Sequence, residues 1–194
     1  MRNKLVLAIV LVSFILSFLI FTMFSLRVEG VGDNILMSGR KLPGFTLKDT
    51  RGRSITLEEF KGRVVLIFFG YTSCPDICPM ALQRYAELQR LLGERARELV
   101  FIFITTDPTG DNPEKLNDLT EKYGGNIVAL TGDWQELATV WKAYHARPLE
   151  DAGPSTYITH SAVIYVGDRN QILRSILTPE MPAEVMLGEI QAIL

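Results

Sequence analysis

Apolar positions fall into one long run, then a series of short segments whose period alternates between two and about 3.6. From Leu5 to Leu26 no residue is charged, and most are Leu, Ile, Val or Phe. At about 1.5 Å per residue, a run of roughly 22 residues spans about 33 Å, close to a bilayer core. A cleavable signal peptide has a shorter apolar core, about 7–15 residues, and ends in a small-residue cleavage pattern. The flank Phe24-Ser25-Leu26-Arg27-Val28 has no such pattern and no cysteine. The pattern predicts an uncleaved transmembrane signal anchor over residues 1–27, a polar tether over 28–41 with Gly30, Gly32 and Gly39, and a folded domain over 42–194.

Within the domain, Phe45–Leu47 and Arg53–Leu57 flank the turn Asp49-Thr50-Arg51-Gly52 and predict a hairpin. Val64–Phe69 and Val100–Ile104 are continuous apolar runs, the mark of strands buried on both faces. Between them, Leu82, Tyr85, Leu88, Leu91 and Leu92 share one stripe of a helix read from Pro79 to about Glu98. Asn112-Pro113 predicts the start of a second helix, to about Tyr123. Ile127–Leu130 follows as a short strand, then a helix capped by Asp133 to about Tyr144. Ala162–Val166 and Ile172–Ile176 form a hairpin around Gly167-Asp168-Arg169-Asn170, and Pro182 opens a last helix. Strands alternating with helices and closing on a hairpin plus helix predict an α/β thioredoxin-like fold: a central mixed sheet flanked by helices, with an extra N-terminal β-hairpin.

Charge narrows the class. The 194 residues carry a formal net charge of -2 with no basic block, which argues against nucleic acid as a partner. Arg2 and Lys4 before the apolar run, against Arg27 after it, place the N-terminus in the cytoplasm and the domain outside. An even cysteine pair suits that compartment. Without an organellar transit peptide, the expected location is a bacterial plasma membrane, single-pass, with the domain on the periplasmic side.

The sharpest chemistry lies in Tyr71-Thr72-Ser73-Cys74-Pro75-Asp76-Ile77-Cys78-Pro79, which holds both cysteines of the chain. Proline suits a helix's first position, so Pro79 predicts Cys78 at the helix cap and Cys74 in the loop before it. Helix N-termini favour anions and lower thiol pKa values. A structural disulfide over so short a loop would contribute only about 2 kcal/mol in the loop-closure picture. Zinc would lack a closed set of four ligands. Dithiol oxidoreductases use C-x-x-C, whereas this is C-x-x-x-C, which suits a metal better than rapid thiol exchange.

His160 precedes the strand Ala162–Val166, a position that in a thioredoxin-like sheet faces the cysteine loop. Cys74, Cys78 and His160 together form a soft set that suits Cu(I) and accepts Cu(II). His145, at a helix end, reads as a surface residue; Met80 is at most a weak ligand, and Met181 and Met186 read as core or surface. Asp107, at the end of the second central strand, is a candidate to support the metal site without ligating it. If the pair works instead as a reductase, Cys74 attacks and Cys78 resolves.

These segments resemble the Sco/SenC family of copper-binding proteins. The resemblance rests on Phe69–Pro79, on Thr106-Asp107-Pro108 with Asp111 and Pro113, on Leu130-Thr131-Gly132 and on Thr159-His160-Ser161-Ala162. It implies a membrane-tethered protein that binds one copper through Cys74, Cys78 and His160. The implied role is delivery of copper to the dinuclear copper centre of cytochrome c oxidase, or reduction of that centre's cysteines. The oxidase subunit carrying the centre is the implied recipient, and a separate copper donor would act upstream. A metallochaperone of this kind is not an enzyme with turnover. The chain departs from the family at Thr159, where an acidic residue is common, and at Gly167-Asp168, where Asp-Pro is common.

Overall fold

The computed structural model describes residues 39–124, 126–146 and 163–194. Seven strands form one mixed sheet: β1 Thr46–Asp49, β2 Ser54–Thr56, β3 Val64–Gly70, β4 Leu99–Thr105, β5 Ile127–Thr131, β6 Ile164–Gly167 and β7 Leu173–Leu177. Their spatial order is β2-β1-β5-β4-β3-β6-β7. β3, β4 and β5 run parallel at the centre, and every other pairing is antiparallel. The helices are α1 Ile77–Leu92, α2 Pro113–Tyr123, α3 Trp134–Ala143 and α4 Ala183–Gln191. This is the predicted order of elements and a thioredoxin-like layout.

β3 and β4 lie in the middle because every one of their residues is buried, as parallel strands covered on both faces must be. The period of two then divides the side chains between two layers. Val64, Leu66 and Phe68 join Phe101 and Phe103 in the core under α1, α2 and α4. Tyr85 of α1 meets Phe101 there at 4.8 Å between ring centroids. Met186 of α4 is fully buried in the same layer, a core residue as its helical spacing implied. On the opposite face Phe69 packs against Tyr144 and Tyr165, at 5.2 and 6.3 Å. Trp141 of α3 donates its indole N–H to the Thr105 carbonyl at 3.0 Å.

Two hairpin turns share one device. Asp49 Oδ1 accepts the backbone N–H groups of Arg51 and Arg53, while its Oδ2 takes the Arg53 guanidinium. Asp168 does the same with Asn170, Ile172 and Arg174. Burial opposes the ionised form of both carboxylates, but these hydrogen bonds outweigh it and hold both below the usual carboxylate range. Asp168, where the family resemblance fails, is thus accounted for by its own turn.

Three of the boundaries that differ from the sequence pattern bear on the domain's extent and its site. Gly39–Leu42 already pairs with the last hairpin: Gly39 N–H reaches the Leu173 carbonyl and Leu42 N–H the Gln171 carbonyl, each at 2.8 Å. The folded unit therefore takes in residues that the pattern gave to the tether. α1 stops at Leu92 because Gly93 adopts φ 55, and a 3-10 segment carries the chain to Glu98. α1 also starts two residues before Pro79, a shift with chemical consequences. Among the described residues no helix is long and apolar enough to cross a membrane. The apolar run 5–26 lies outside them.

Candidate metal centre

Gly70 ends β3 and Thr105 ends β4, and the two are register partners. The loops that leave these strands meet at one edge of the sheet. The first, Tyr71–Asp76, is turned by a bond from Cys74 N–H to the Tyr71 carbonyl at 3.2 Å and runs into α1. The second, Thr106–Asn112, is tied to the first where Thr106 N–H meets the Gly70 carbonyl at 2.7 Å.

Cys78 is the second residue of α1, not its cap, and Asp76 holds the cap position. Pro79 is tolerated as the third helical residue because the first N–H groups of a helix have no intrahelical acceptor. Starting two residues early brings more backbone donors to bear on Cys74. A hydrogen bond from the Cys78 thiol lowers its pKa most, against burial, with further help from the N–H groups of Asp76, Cys78 and Ile77. Together they bring it down to about 5. Cys78 moves the opposite way. It is the proton donor to Cys74, it is buried, and the neighbouring thiolate and the Asp111 carboxylate oppose a further negative charge. Both cysteines are free. At neutral pH the pair is therefore one thiolate and one thiol, joined by a single proton. Tyr71 stands over it, its phenol pushed up to about 12 by burial and by the charges of Cys74 and Cys78.

This predicts a pH profile. Alkylation of Cys74 by iodoacetamide should level off above about pH 5 rather than near 8.5. At pH 6 its thiolate fraction exceeds that of an ordinary thiol about 300-fold, and weaker intrinsic nucleophilicity leaves a net advantage of roughly tenfold. An inflection near 8.5 would refute this arrangement.

Packing fixes Cys78 as tightly as hydrogen bonding does. It is 1% exposed, and a Cβ added at Gly70 would stand 2.6 Å from its Sγ. A cleft of about 360 Å³ opens beside it, between Tyr71 and Pro79 on one side and Leu119, Lys122 and Tyr123 of α2 on the other.

The remaining candidates separate. Asp107 is committed to its own turn: Oδ1 accepts the Gly110 N–H at 2.8 Å, and its charge is among those acting on Tyr71. His145 is exposed with φ 54 and closes α3, its N–H on the Lys142 carbonyl and Ala146 N–H on the Trp141 carbonyl. That 5→2 and 6→1 pair is a Schellman end, and histidine is among the residues that tolerate the left-handed position. His160 lies outside the described residues. Among the described residues no group of three or more His, Cys, Asp or Glu is placed to hold a metal. The donors within them are the two sulfurs, a soft pair with one already ionised, which fits copper.

Sequence reasoning gave no role to Asp111 or Gly70. Asp111 is 3% exposed and accepts from the Thr72 N–H and hydroxyl and from the Thr105 hydroxyl. Thr72 lies 39 positions away in the chain, so no local pattern signals that contact.

A family model described as SCO1/SenC matches residues 37–194. A SCO2-like protein of Rickettsia felis is 33% identical over 159 residues, covering 79% of this chain and 76% of the relative. The structure of Bradyrhizobium japonicum ScoI with copper bound is 31% identical, with a TM-score of 0.67, and the match covers 80% of this chain and 100% of ScoI. Copper-bound yeast Sco1 is 26% identical with a TM-score of 0.66, over 77% of this chain and 86% of the yeast chain.

Proposed function

Because the chain belongs to the SCO1/SenC family, we propose that it is a copper metallochaperone that binds one copper ion through Cys74, Cys78 and His160. The observation that carries this reading is the Cys74 thiolate, held among the first N–H groups of α1 beside the protonated Cys78. A soft cation needs thiolate, and here one is present before the metal arrives. The copper-bound structures of ScoI and yeast Sco1 support the choice of metal. His160 supplies the third ligand, and Asp107 steadies the loop beside the site without binding metal. Copper is cargo: it leaves by exchange of these ligands for those of the recipient across a transient contact. The recipient is the cytochrome c oxidase subunit that carries the dinuclear copper centre, and another protein loads the site. Residues 1–27 anchor the chain in a bacterial plasma membrane, with the domain in the periplasm.

The low pKa of Cys74 also favours a second reading. As a thiol–disulfide reductase, the Cys74 thiolate attacks a disulfide of the oxidase copper site and forms a mixed disulfide. Cys78 then displaces the second recipient sulfur, giving up its proton. The recipient gains two electrons and becomes two thiols, taking one proton from Cys78 and one from water, and Cys74–Cys78 becomes the disulfide.

Anaerobic Cu(I) titration of the reduced full-length chain in detergent tests the first reading. One copper per chain is expected, with affinity lowered about tenfold to a hundredfold in His160→Ala. No copper binding, alongside a dithiol that cycles readily with a disulfide substrate, would leave the reductase.

A further inference from the structure

We propose that Asp111 is a positioning residue for the thiol pair: a buried carboxylate that clamps Thr72, and with it the cysteine loop, to the end of β4. The proposal rests on Cys74 and Cys78 being the working site, but not on copper.

Aspartate is rarely so buried without a cation, and among the described residues Asp111 forms no salt bridge. Hydrogen bonds satisfy it instead. Oδ1 accepts the Thr72 N–H at 3.0 Å and the Thr72 hydroxyl at 2.5 Å. Oδ2 accepts the Thr105 hydroxyl at 2.6 Å. Thr105 is itself fully buried at the end of β4, and its oxygen accepts the Asp107 N–H at 3.0 Å. The carboxylate thus bridges the two loops that wall the site.

Its own segment has no use for this side chain. Asn112 caps α2, accepting the Lys115 N–H at 2.9 Å. Asp107 closes the preceding turn through Gly110. Nor is Asp111 free to ligate a metal, since both oxygens are occupied and the residue is buried. What it does hold is Thr72, inside the turn that Cys74 N–H closes onto Tyr71. The two hydrogen bonds from Thr72 fix both the position and the orientation of the Tyr71–Thr72 peptide, and through it the turn that presents Cys74. A buried charge that secures a geometry, where an apolar pair would hold the fold as well, is a device for specificity rather than stability.

The test uses the full-length, metal-free, reduced chain in detergent. It compares Asp111→Ala, Asp111→Asn and Thr72→Val with Leu116→Ala, a fully buried core residue of α2, the helix that follows Asp111. Three quantities are measured: the Cys74–Cys78 dithiol–disulfide equilibrium in a glutathione buffer, the Cys74 alkylation rate at pH 6, and the thermal midpoint. Asp111→Ala should shift the equilibrium by about tenfold, near 30 mV, and slow alkylation severalfold. Thr72→Val should move both the same way by a smaller factor. Asp111→Asn should restore most of both, because its amide oxygen still accepts from Thr72 while the Thr105 hydroxyl turns to accept from its nitrogen. Leu116→Ala should lower the midpoint and leave the thiol equilibrium unchanged. The proposal is overturned if Asp111→Ala lowers the midpoint as Leu116→Ala does and leaves the equilibrium within about twofold of wild type. If Asp111→Ala does not fold, Thr72→Val decides: an unchanged equilibrium and rate overturn the proposal. The wild-type rate by itself tests the reading of the thiol pair, and the variant-to-wild-type ratio tests Asp111.

Discussion

Alanine at Cys74 or at Cys78 is expected to lower copper affinity by about 10²–10³-fold. The magnitude follows from structural metal sites, where roughly 10–16 kcal/mol is shared among four ligands, or about 2.5–4 kcal/mol each. The two variants should differ in everything except this loss. Cys78→Ala removes the hydrogen bond that contributes most to the low pKa of Cys74, so the alkylation inflection of Cys74 should move up from about 5. It also removes a sulfur that is 1% exposed in the core layer, at a cost of about 1 kcal/mol or slightly more in stability. Cys74→Ala leaves the backbone donors of α1 without their anion, and Cys78 should then show little reactivity at neutral pH. Ser73→Ala, an exposed neighbour, is the control and should bind as the wild type does. Anaerobic titration against a competing Cu(I) chelator gives the affinities. Wild-type affinity in either cysteine variant would remove the thiol pair from the metal site.

Gly70→Ala should disturb both fold and site. The added methyl would stand 2.6 Å from Cys78 Sγ, 2.9 Å from Phe68 Cε1 and 3.0 Å from Phe103 Cε2. Neither ring has room to give. Phe68 and Phe103 are fully buried, and Gly70 lies in a strand whose register is fixed by β4. Overpacking of this kind costs about 1–3 kcal/mol. For a domain of this size that lowers the midpoint by roughly 2–4 °C per kcal/mol. The sulfur is the least restrained of the three neighbours, so it should move most. Displacing it weakens the Cys78–Cys74 hydrogen bond, and copper affinity should fall about tenfold, one decade per 1.4 kcal/mol. Thermal unfolding and the same titration check both effects. A variant as stable as wild type with unchanged affinity would show that the close approach at Gly70 is not needed.

Sequence alone determined the framework. Continuous apolar runs at Val64–Phe69 and Val100–Ile104 read as central strands, because strands covered on both faces need every residue apolar, and both form as read. Asn112-Pro113 and Asp133 marked helix starts because capping is a local interaction, and both caps form as read. The cysteine pair was legible for the same reason: the spacing and the proline put both sulfurs at one helix N-terminus. What spacing could not fix was the division of labour within the pair. That came with the start of α1 at Ile77, which sets the backbone donors around Cys74 and buries Cys78. The bridging carboxylate Asp111 and the close approach at Gly70 were likewise set by the tertiary structure. Their partners come from different strands and loops, and contacts made across a sheet leave no period in the chain. The sequence therefore determined that the two sulfurs lie together at one helix N-terminus, through patterns that act over a few residues. Only the folded sheet decided which sulfur carries the charge and which buried groups hold it in place, because burial and long-range hydrogen bonds exist only once β3 and β4 lie side by side.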